Sequence, residues 1–296
     1  MTAQKNQFIG CDKTYEEANV VLFGAPYDST TSFRPGTRFG PAAMRMESFG
    51  IETYSPLQDK DLVDDTKVFD SGDIELPFGA PEPALKLIEE RAAEILADGK
   101  RPFLLGGEHL VTLGAFRAVQ KRHPDVVVIH FDAHADLRED YLGNPLSHAC
   151  VLRRIHDLVG DDRIYQFGIR SGTREEFAFM KAGHVTTEPF SDMTLASVVS
   201  SIEQSEQSNN RTIPIYLTLD MDVLDPSEFP GTGTQEAGGF RYLQLVEDVR
   251  LICSKLNVVA MDNVELNPGL DPTGRSTALA CKFLRECLLS LVSKGE

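Results

Sequence analysis

The sequence has few cysteines, and none of them is placed for a metal-binding or redox motif. Its 296 residues include five cysteines, no two of which form a C-x-x-C pair. An odd number without that spacing is typical of reduced thiols in a cytosolic protein and argues against a disulfide framework. We therefore expect a cytoplasmic protein in which all five thiols are free: Cys11, Cys150, Cys253, Cys281 and Cys287.

Long apolar runs and an excess of basic residues are also missing. No stretch reaches the roughly 18 consecutive apolar residues of a membrane span, and Met1–Gly10 lacks the apolar core of a secretory signal. Lys and Arg number 29 against 45 Asp and Glu, a net charge of −16. This balance argues against a nucleic-acid partner and favours a small cationic one. The 42% apolar and 25% charged composition excludes a disordered chain or a fibre.

The chain does contain a regular alternation of apolar and amphipathic segments. Eight short apolar runs are predicted strands: Asn19–Phe23, Lys67–Phe69, Pro102–Leu105, Val126–Phe131, Arg163–Phe167, His184–Thr186, Pro214–Leu219 and Val258–Val264. Six amphipathic stretches are predicted helices: Pro83–Asp98, Leu110–Arg122, Ser147–Leu158, Leu195–Gln204, Tyr242–Lys255 and Ser276–Ser293. This alternation predicts a three-layer α/β/α fold around a central parallel sheet of about eight strands.

No internal repeat, low-complexity tract or long linker marks a domain boundary. A prior of about 150 residues per domain would allow two domains, but we expect a single domain over 1–296. The polar stretch Ser200–Arg211 is predicted to be a surface turn after a helix. The stretch Gly231–Gly239 lacks the Lys-Ser/Thr ending of a phosphate-binding loop and is predicted to form a flexible pocket wall.

Polar side chains gather at the ends of four predicted strands. The segments are PFLLGGEH (102–109), VVVIHFDAHAD (126–136), IPIYLTLDMDVLDP (213–226) and NVVAMDNVELNP (257–268). Ligand sites in parallel sheets lie beyond the carboxyl ends of the strands. The four segments therefore direct seven side chains to one side of the sheet: His109, Asp132, His134, Asp136, Asp220, Asp222 and Glu265.

The spacing of these residues suits metal ligands. Residues two apart in extended backbone point the same way, roughly 6.5–7 Å apart, so Asp132, His134 and Asp136 can line one face. Asp220 and Asp222 can line another, and two such faces can hold metal ions about 3.5–4 Å apart. Four carboxylates and two imidazoles without cysteine favour Mn²⁺ over a structural zinc, although Fe, Co or Ni could compete.

The same residues also have ordinary structural interpretations. A single Asp after a strand is most often a turn or N-cap residue. The motifs DAHAD and LDMD at separate strand ends are harder to explain in that way. Burying four unpaired carboxylates side by side would cost several kcal/mol each. We therefore interpret the cluster as a centre for two metal ions.

These motifs resemble the ureohydrolase family of arginases and agmatinases. The resemblance runs from GAPYDSTTSFRPGTRFGPAAMR (24–45) through GGEH, FDAHAD, TLDMDVLDP and the PGTGTQEAGG loop to ELNP (265–268). It implies an arginase-like fold, a homo-oligomer (trimer or hexamer) and two Mn²⁺ ions per subunit. It also implies a bridging hydroxide that attacks a guanidinium carbon and releases urea. Glu108 stands where many members have Asp, which leaves the ligand His109 unaffected.

The resemblance also implies individual roles. His109 and Asp136 would bind one ion, His134 and Asp222 the other, and Asp132 and Asp220 would contact both. Glu265 would hold the substrate guanidinium, unless it is a surface residue at a strand end. His148, in NPLSHAC, would contact the substrate and transfer a proton, unless it only begins a helix. Cys150 is expected to be a packed, unreactive thiol rather than a nucleophile.

The contacts that arginases make with an amino acid are missing. Arg138 stands where arginases have an Asn, and GIRSGT (168–173) has no acidic residue before Glu175. The segments DLR, LSHAC and GIRSG, together with Glu236, resemble the agmatinase branch, which implies hydrolysis of agmatine to putrescine and urea. An inward Arg138 would repel agmatine's amine and favour 4-guanidinobutyrate, and we expect Arg138 to point outward.

Three other functions stay open. The first is a ureohydrolase for another guanidino compound, such as 4-guanidinobutyrate. The second is a metal-dependent amide deacylase, although such sites typically hold one zinc and six candidate ligands are present here. The third is a catalytically silent binding protein, which would be expected to have lost ligands or His148.

Overall fold

Ten strands and nine α-helices occur in the residues that the structure, a computed structural model, describes: 7–187 and 194–292. The strands are β1 Val20–Ala25, β2 Tyr54–Ser55, β3 Lys60–Asp61, β4 Val68–Asp73, β5 Arg101–Gly106, β6 Val127–Phe131, β7 Ile164–Phe167, β8 Thr186–Thr187, β9 Pro214–Asp220 and β10 Asn257–Val264. The helices are α1 Gly40–Glu47, α2 Leu62–Asp65, α3 Pro81–Ala97, α4 Val111–Arg122, α5 Val151–Val159, α6 Arg174–Lys181, α7 Leu195–Asn209, α8 Tyr242–Lys255 and α9 Arg275–Leu291.

Eight of these strands form one parallel sheet in the order β4-β1-β5-β10-β9-β6-β7-β8. Buried side chains of α1, α7, α8 and α9 form one apolar core against the sheet. Side chains of α3, α4, α5 and α6 form a second core on the opposite face. The predicted three-layer α/β/α fold with eight parallel strands is therefore confirmed. Strands β2 and β3 form a separate antiparallel pair.

Four helices of the structure differ from the sequence prediction: α1, α2, α6 and α7. The stretch Ser200–Arg211 is not a turn, because α7 continues to Asn209. The buried residues of α7 lie on one side, while its Ser, Gln and Glu residues lie toward solvent. Because the stretch is so polar, the sequence did not indicate a helix there. Helices α1, α2 and α6 were not predicted, and they have only eight, four and eight residues. The last predicted helical residue, Ser293, lies outside the described part of the chain.

The four strands that carry the candidate ligands are neighbours at the centre of the sheet. Their order is β5-β10-β9-β6, although β9 and β10 come last in the sequence. Phe131 pairs with Leu219, and Asp220 pairs with Val264. This register places Asp132, Asp220 and Glu265 at the same level on the carboxyl edge of the sheet. Among the helices described, none is long and apolar enough to cross a membrane.

Candidate metal centre and substrate pocket

The six predicted ligands come together in two overlapping groups. The first surrounds the imidazole of His109, whose Nδ1 atom lies 3.1 Å from Asp132 Oδ2, 3.2 Å from Asp136 Oδ2 and 3.2 Å from Asp220 Oδ2. The second surrounds His134, whose Nδ1 lies 2.9 Å from Asp222 Oδ2 and 3.5 Å from Asp132 Oδ1. Asp132 thus faces both histidines, one with each carboxylate oxygen.

The backbone that carries these ligands is not extended, although the sequence spacing predicted ligands two apart on an extended strand. Strand β6 ends at Phe131, and Asp136 has a φ of +52°. After β9, Met221–Val223 forms a 3-10 turn in which the Asp222 N–H donates to Asp220 Oδ1 at 2.8 Å. Glu265 is also left-handed, with φ +67°. Left-handed backbone at non-glycine residues is strained and often found at functional sites.

A chain of hydrogen bonds from β9 and β10 fixes the tautomer of His109. The Thr218 hydroxyl donates to Asp262 Oδ1 at 2.7 Å, and the hydroxyl oxygen of Thr218 lies 3.0 Å from His109 Nε2. Because its one proton goes to Asp262, the hydroxyl accepts the Nε2–H of His109. In a neutral ring, Nδ1 would then present a lone pair to the three carboxylates; this atom has no hydrogen-bond partner among the described residues. A cation between these atoms would satisfy all four groups.

His130 orients the shared ligand Asp132 in a similar way. The Gln166 amide nitrogen donates to His130 Nδ1 at 3.0 Å and to the carbonyl of Ala135 at 2.9 Å. The proton of His130 is therefore on Nε2, which lies 2.9 Å from Asp132 Oδ2. Burial lowers the pKa of His130, so this ring is neutral. The sequence motifs did not indicate a role for any of four residues: His130, Gln166, Thr218 and Asp262.

The buried carboxylates of the cluster lie so close together that they favour binding of cations. Burial, and then the neighbouring Asp132, raises the pKa of Asp136 to about 7. Burial, and then Asp222, raises the pKa of Asp220. Burial works against ionisation of Asp132, but the histidines around it, among them His130 and His134, hold the pKa of this carboxyl well below its usual range. A hard and borderline donor set of this kind, crowded and short of positive charge, fits divalent metal ions.

The two predicted catalytic residues lie beside this cluster. Glu265 Oε1 accepts a hydrogen bond from the backbone N–H of His109 at 2.7 Å and lies 3.8 Å from His148 Nδ1. His148 Nε2 accepts the backbone N–H of Ser32 at 3.1 Å, which leaves the ring proton on Nδ1, toward Glu265. Burial, and then the neighbouring His134, lowers the pKa of His148 to about 4. The ring is therefore neutral at neutral pH.

Glu108 positions the loop that carries Ser32. Its carboxylate accepts the Thr30 hydroxyl at 2.6 Å and the Thr31 hydroxyl at 2.9 Å. The Thr30 hydroxyl in turn accepts the backbone N–H of His148 at 3.0 Å. Burial raises the pKa of Glu108 to about 7. Glu108 thus supports His148 from behind, a role that the sequence did not suggest.

A cavity of about 230 Å³ opens above the cluster and contains Arg138 in its wall. This differs from the outward orientation expected for Arg138. Its Nε lies 3.5 Å from Glu176 Oε2, and its guanidinium lies 5.0 Å from the centre of the Tyr141 ring. Glu176 is buried and accepts the backbone N–H groups of Leu137 and Thr173 at 2.9 and 2.7 Å. The cavity therefore has a cation and an anion side by side at one wall.

The remaining predicted residues have structural surroundings. Cys150 is buried, and burial, followed by the nearby Asp136, raises the pKa of this thiol to about 12, as expected for an unreactive cysteine. All five cysteines are buried and free. Glu236 Oε1 lies 3.8 Å from His134 Nε2. The guanidinium of Arg170 holds the glycine-rich loop by donating to the carbonyl of Glu236 at 2.9 Å.

Comparison with known proteins agrees with this geometry. The sequence profile of the arginase family matches residues 18–290. The chain belongs to the arginase family. An agmatinase of Bacillus anthracis is 45% identical over 287 residues, which cover 96% of each chain. A guanidinobutyrase of Pseudomonas aeruginosa is 35% identical over 280 residues, covering 92% of this chain and 86% of that one.

The family's fold is also found among solved structures. A structure from Clostridium difficile superposes with a TM-score of 0.87 at 46% identity, covering 95% of this chain and 99% of that one. The resemblance to ureohydrolases, inferred from the sequence motifs, is thereby confirmed. In this arginase-family chain, the candidate His and Asp ligands occupy the carboxyl edge of the sheet.

Proposed function

We propose that this arginase-family protein is an agmatinase, which hydrolyses agmatine to putrescine and urea with two Mn²⁺ ions per subunit. The observation that carries the proposal is the position of His109 Nδ1, which lies within 3.2 Å of three carboxylates. The similarity to the Bacillus anthracis agmatinase supports the choice of substrate.

Six side chains would hold the two ions. We assign His109 and Asp136 to one ion, His134 and Asp222 to the other, and Asp132 and Asp220 to both. The two groups of short contacts, joined through Asp132, support this division. When bound, a pair of such ions would supply activated water at neutral pH for attack on the guanidinium carbon.

The chain's own residues would bind the substrate and move the proton. Glu265, held by the N–H of His109, presents a carboxylate toward the cavity and would pair with the guanidinium N–H groups. This pairing would keep the carbon in place above the metal site. His148 carries its ring proton on the side of Glu265 and, being neutral, could exchange protons with the leaving amine.

A second substrate, 4-guanidinobutyrate, is favoured by one observation. Arg138 lines the cavity and would attract the carboxylate of that compound. We favour agmatine because Glu176 lies beside Arg138 and neutralises its charge. The buried Glu176 also offers an acidic partner to a terminal amine.

Urea release from the Mn²⁺-loaded protein tests the proposal, measured in parallel on agmatine, 4-guanidinobutyrate and arginine. We expect turnover of agmatine, with kcat/KM at least tenfold above that for 4-guanidinobutyrate, and none of arginine. Turnover confined to 4-guanidinobutyrate would mean that Arg138 binds the carboxylate of the substrate. Absence of urea from all three substrates, with two metal ions bound, would contradict the proposed reaction.

We also propose the setting in which the protein works. Its five free cysteines fit the reducing cytoplasm. Residues 1–296 would form a single domain, because all eight strands of the main sheet belong to one continuous hydrogen-bonded order. A homo-oligomer, trimer or hexamer, follows from membership of the family and would be measured by light scattering.

A further inference from the structure

A second group of potential ligands lies outside the catalytic cavity. Six of the seven histidines fall into two sets: four near the cavity and two, His156 and His184, elsewhere. His156 lies in the last part of α5, and His184 lies shortly before the edge strand β8. Both imidazoles face Asp161, in the turn that follows α5. None of the three lines the catalytic cavity.

The three side chains converge on a single point. His156 Nε2 lies 2.8 Å from Asp161 Oδ1, and His184 Nδ1 lies 2.9 Å from the same oxygen. One atom from each residue can be chosen so that all three lie within 4.8 Å of one another. In the catalytic cluster, His134 Nδ1 and Asp222 Oδ2 are likewise 2.9 Å apart. The second group therefore has the donor spacing of the first.

Both histidine rings are held in place by Phe179. The Phe179 ring stacks on His184 with centroids 4.3 Å apart and meets the edge of His156 at 4.9 Å. The guanidinium of Arg153 also packs on Phe179, 4.5 Å from the ring centre. Rotation of either imidazole would break these contacts. The donor atoms are thus preorganised, which lowers the entropic cost of binding a ligand.

We propose that His156, Asp161 and His184 form a peripheral zinc site. Two imidazoles and one carboxylate are a common zinc donor set, and a water molecule would complete a tetrahedron. The side chains of His184 and Asp161 are 39% and 54% exposed, which leaves room for that water. Zn–ligand bonds of about 2.0–2.2 Å require ligand atoms roughly 3.3–3.5 Å apart. The carboxylate would therefore move outward by about half an ångström on binding.

A zinc ion at this position would join two segments at the edge of the sheet. It would tie the end of α5 and the following turn to the segment that enters β8. Strand β8 has only two residues and pairs with β7 alone among the described strands. The ion would therefore stabilise an edge that has few hydrogen bonds of its own.

The alternative is that Asp161 only accepts hydrogen bonds from the two imidazoles. Metal content of the full chain separates these cases. The Mn²⁺-loaded protein is incubated with excess Zn²⁺ and desalted, and total manganese plus zinc is counted per subunit. Counting both metals removes the effect of exchange at the catalytic site. The variants are His184→Ala and His156→Gln, and the control is His123→Ala, which removes the one histidine in neither group.

We expect three ions per subunit in the wild type and in His123→Ala, and two in the other variants. Zinc should also raise the midpoint of thermal unfolding in wild type and control, but not in His184→Ala. In zinc-soaked crystals, an anomalous peak should lie between the two imidazoles. Two ions in every protein, or three in every protein, would overturn the proposal. These outcomes do not depend on urea release and leave the proposed reaction untouched.

Discussion

The carboxylate of Glu265 is hydrogen-bonded to the backbone of His109: its Oε1 accepts the His109 N–H at 2.7 Å. This bond joins the end of β10 to the turn after β5. It also orients the carboxylate that we assign to the guanidinium relative to the candidate metal ligand His109. The same hydrogen bond would therefore set both the position of the proposed substrate and that of the candidate metal ligand.

Replacement of the Glu265 carboxylate should weaken substrate binding without changing the stability of the fold. In Glu265→Gln, the amide oxygen can still accept the His109 N–H, whereas the negative charge toward the guanidinium is lost. We expect a loss of roughly 2–4 kcal/mol of transition-state stabilisation, a 30- to 1,000-fold fall in kcat/KM. Two metal ions per subunit and an unchanged unfolding midpoint would show that the fold is intact. A variant with normal kcat/KM would remove Glu265 from substrate binding.

Asp132 is the residue whose loss should affect both ions together. Each of its oxygens faces a different histidine, so Asp132→Asn weakens both halves of the site. We expect fewer than one ion per subunit and no measurable urea release, as determined by elemental analysis and a urea assay. The exposed Asp64→Asn on α2 serves as the control and should keep two ions. Normal manganese in Asp132→Asn would contradict its role as a ligand.

Thr218 should influence the metal without touching it. Thr218→Val keeps the shape of the side chain but leaves His109 Nε2 without its acceptor. Outer partners of this kind typically contribute 10- to 100-fold to metal affinity, and we expect a loss of about that size in a chelator competition assay. Thr37→Val is a matched control, because the Thr37 hydroxyl is buried and has no partner among the described residues. Equal affinities in the two variants would refute the proposed relay.

His148 should matter for turnover but not for metal content. General acid–base catalysis contributes about 10²–10⁴-fold, so His148→Asn should lose activity by that factor while it retains two ions. His123→Asn, a histidine remote from the cavity, should behave as wild type. A fully active His148→Asn would exclude proton transfer by this residue. Loss of metal together with activity would make it a structural residue.

Arg138 should influence the preference between substrates. Arg138→Gln removes the cation and leaves Glu176 free to meet a terminal amine. Partly exposed ion pairs contribute about 0.2–1 kcal/mol, so kcat/KM for agmatine relative to 4-guanidinobutyrate should rise by a factor of about 1.4 to 5. The exposed Arg174→Gln, at the start of α6, should leave this ratio unchanged. A fall in the ratio would mean that Arg138 contributes to agmatine binding.

Most of the site was predictable because its ligands follow apolar strands whose ends must meet. The motifs after β5, β6, β9 and β10 identified all six candidate ligands and Glu265 before the strand order was known. His130, Thr218 and Asp262 were missed because they lie inside the strands, within runs that otherwise indicate a buried sheet. The Thr218–Asp262 hydrogen bond forms only when β9 and β10 are neighbours, and the Gln166–His130 bond only when β6 and β7 are neighbours. A single sequence does not reveal that order.

Arg138 and α7 show two further reasons for the differences. The orientation of Arg138 depends on Glu176, which also caps α6 through a reciprocal hydrogen bond with Thr173. Since α6 was not predicted, neither was the position of Glu176. In α7, a capping box at Thr194 and four buried apolar residues support fifteen helical residues, although many of them are Ser and Gln. Tertiary packing outweighs the weak helix propensity of serine.

The position of β9 and β10 between β5 and β6 has a consequence for biosynthesis. A ribosome produces β5 and β6 early, but these strands are separated in the finished sheet by two that emerge last. The first half of the chain therefore cannot close its sheet, and its two central edges stay open until residue 264 has left the exit tunnel. The complete candidate metal site would therefore form only after β10 has emerged.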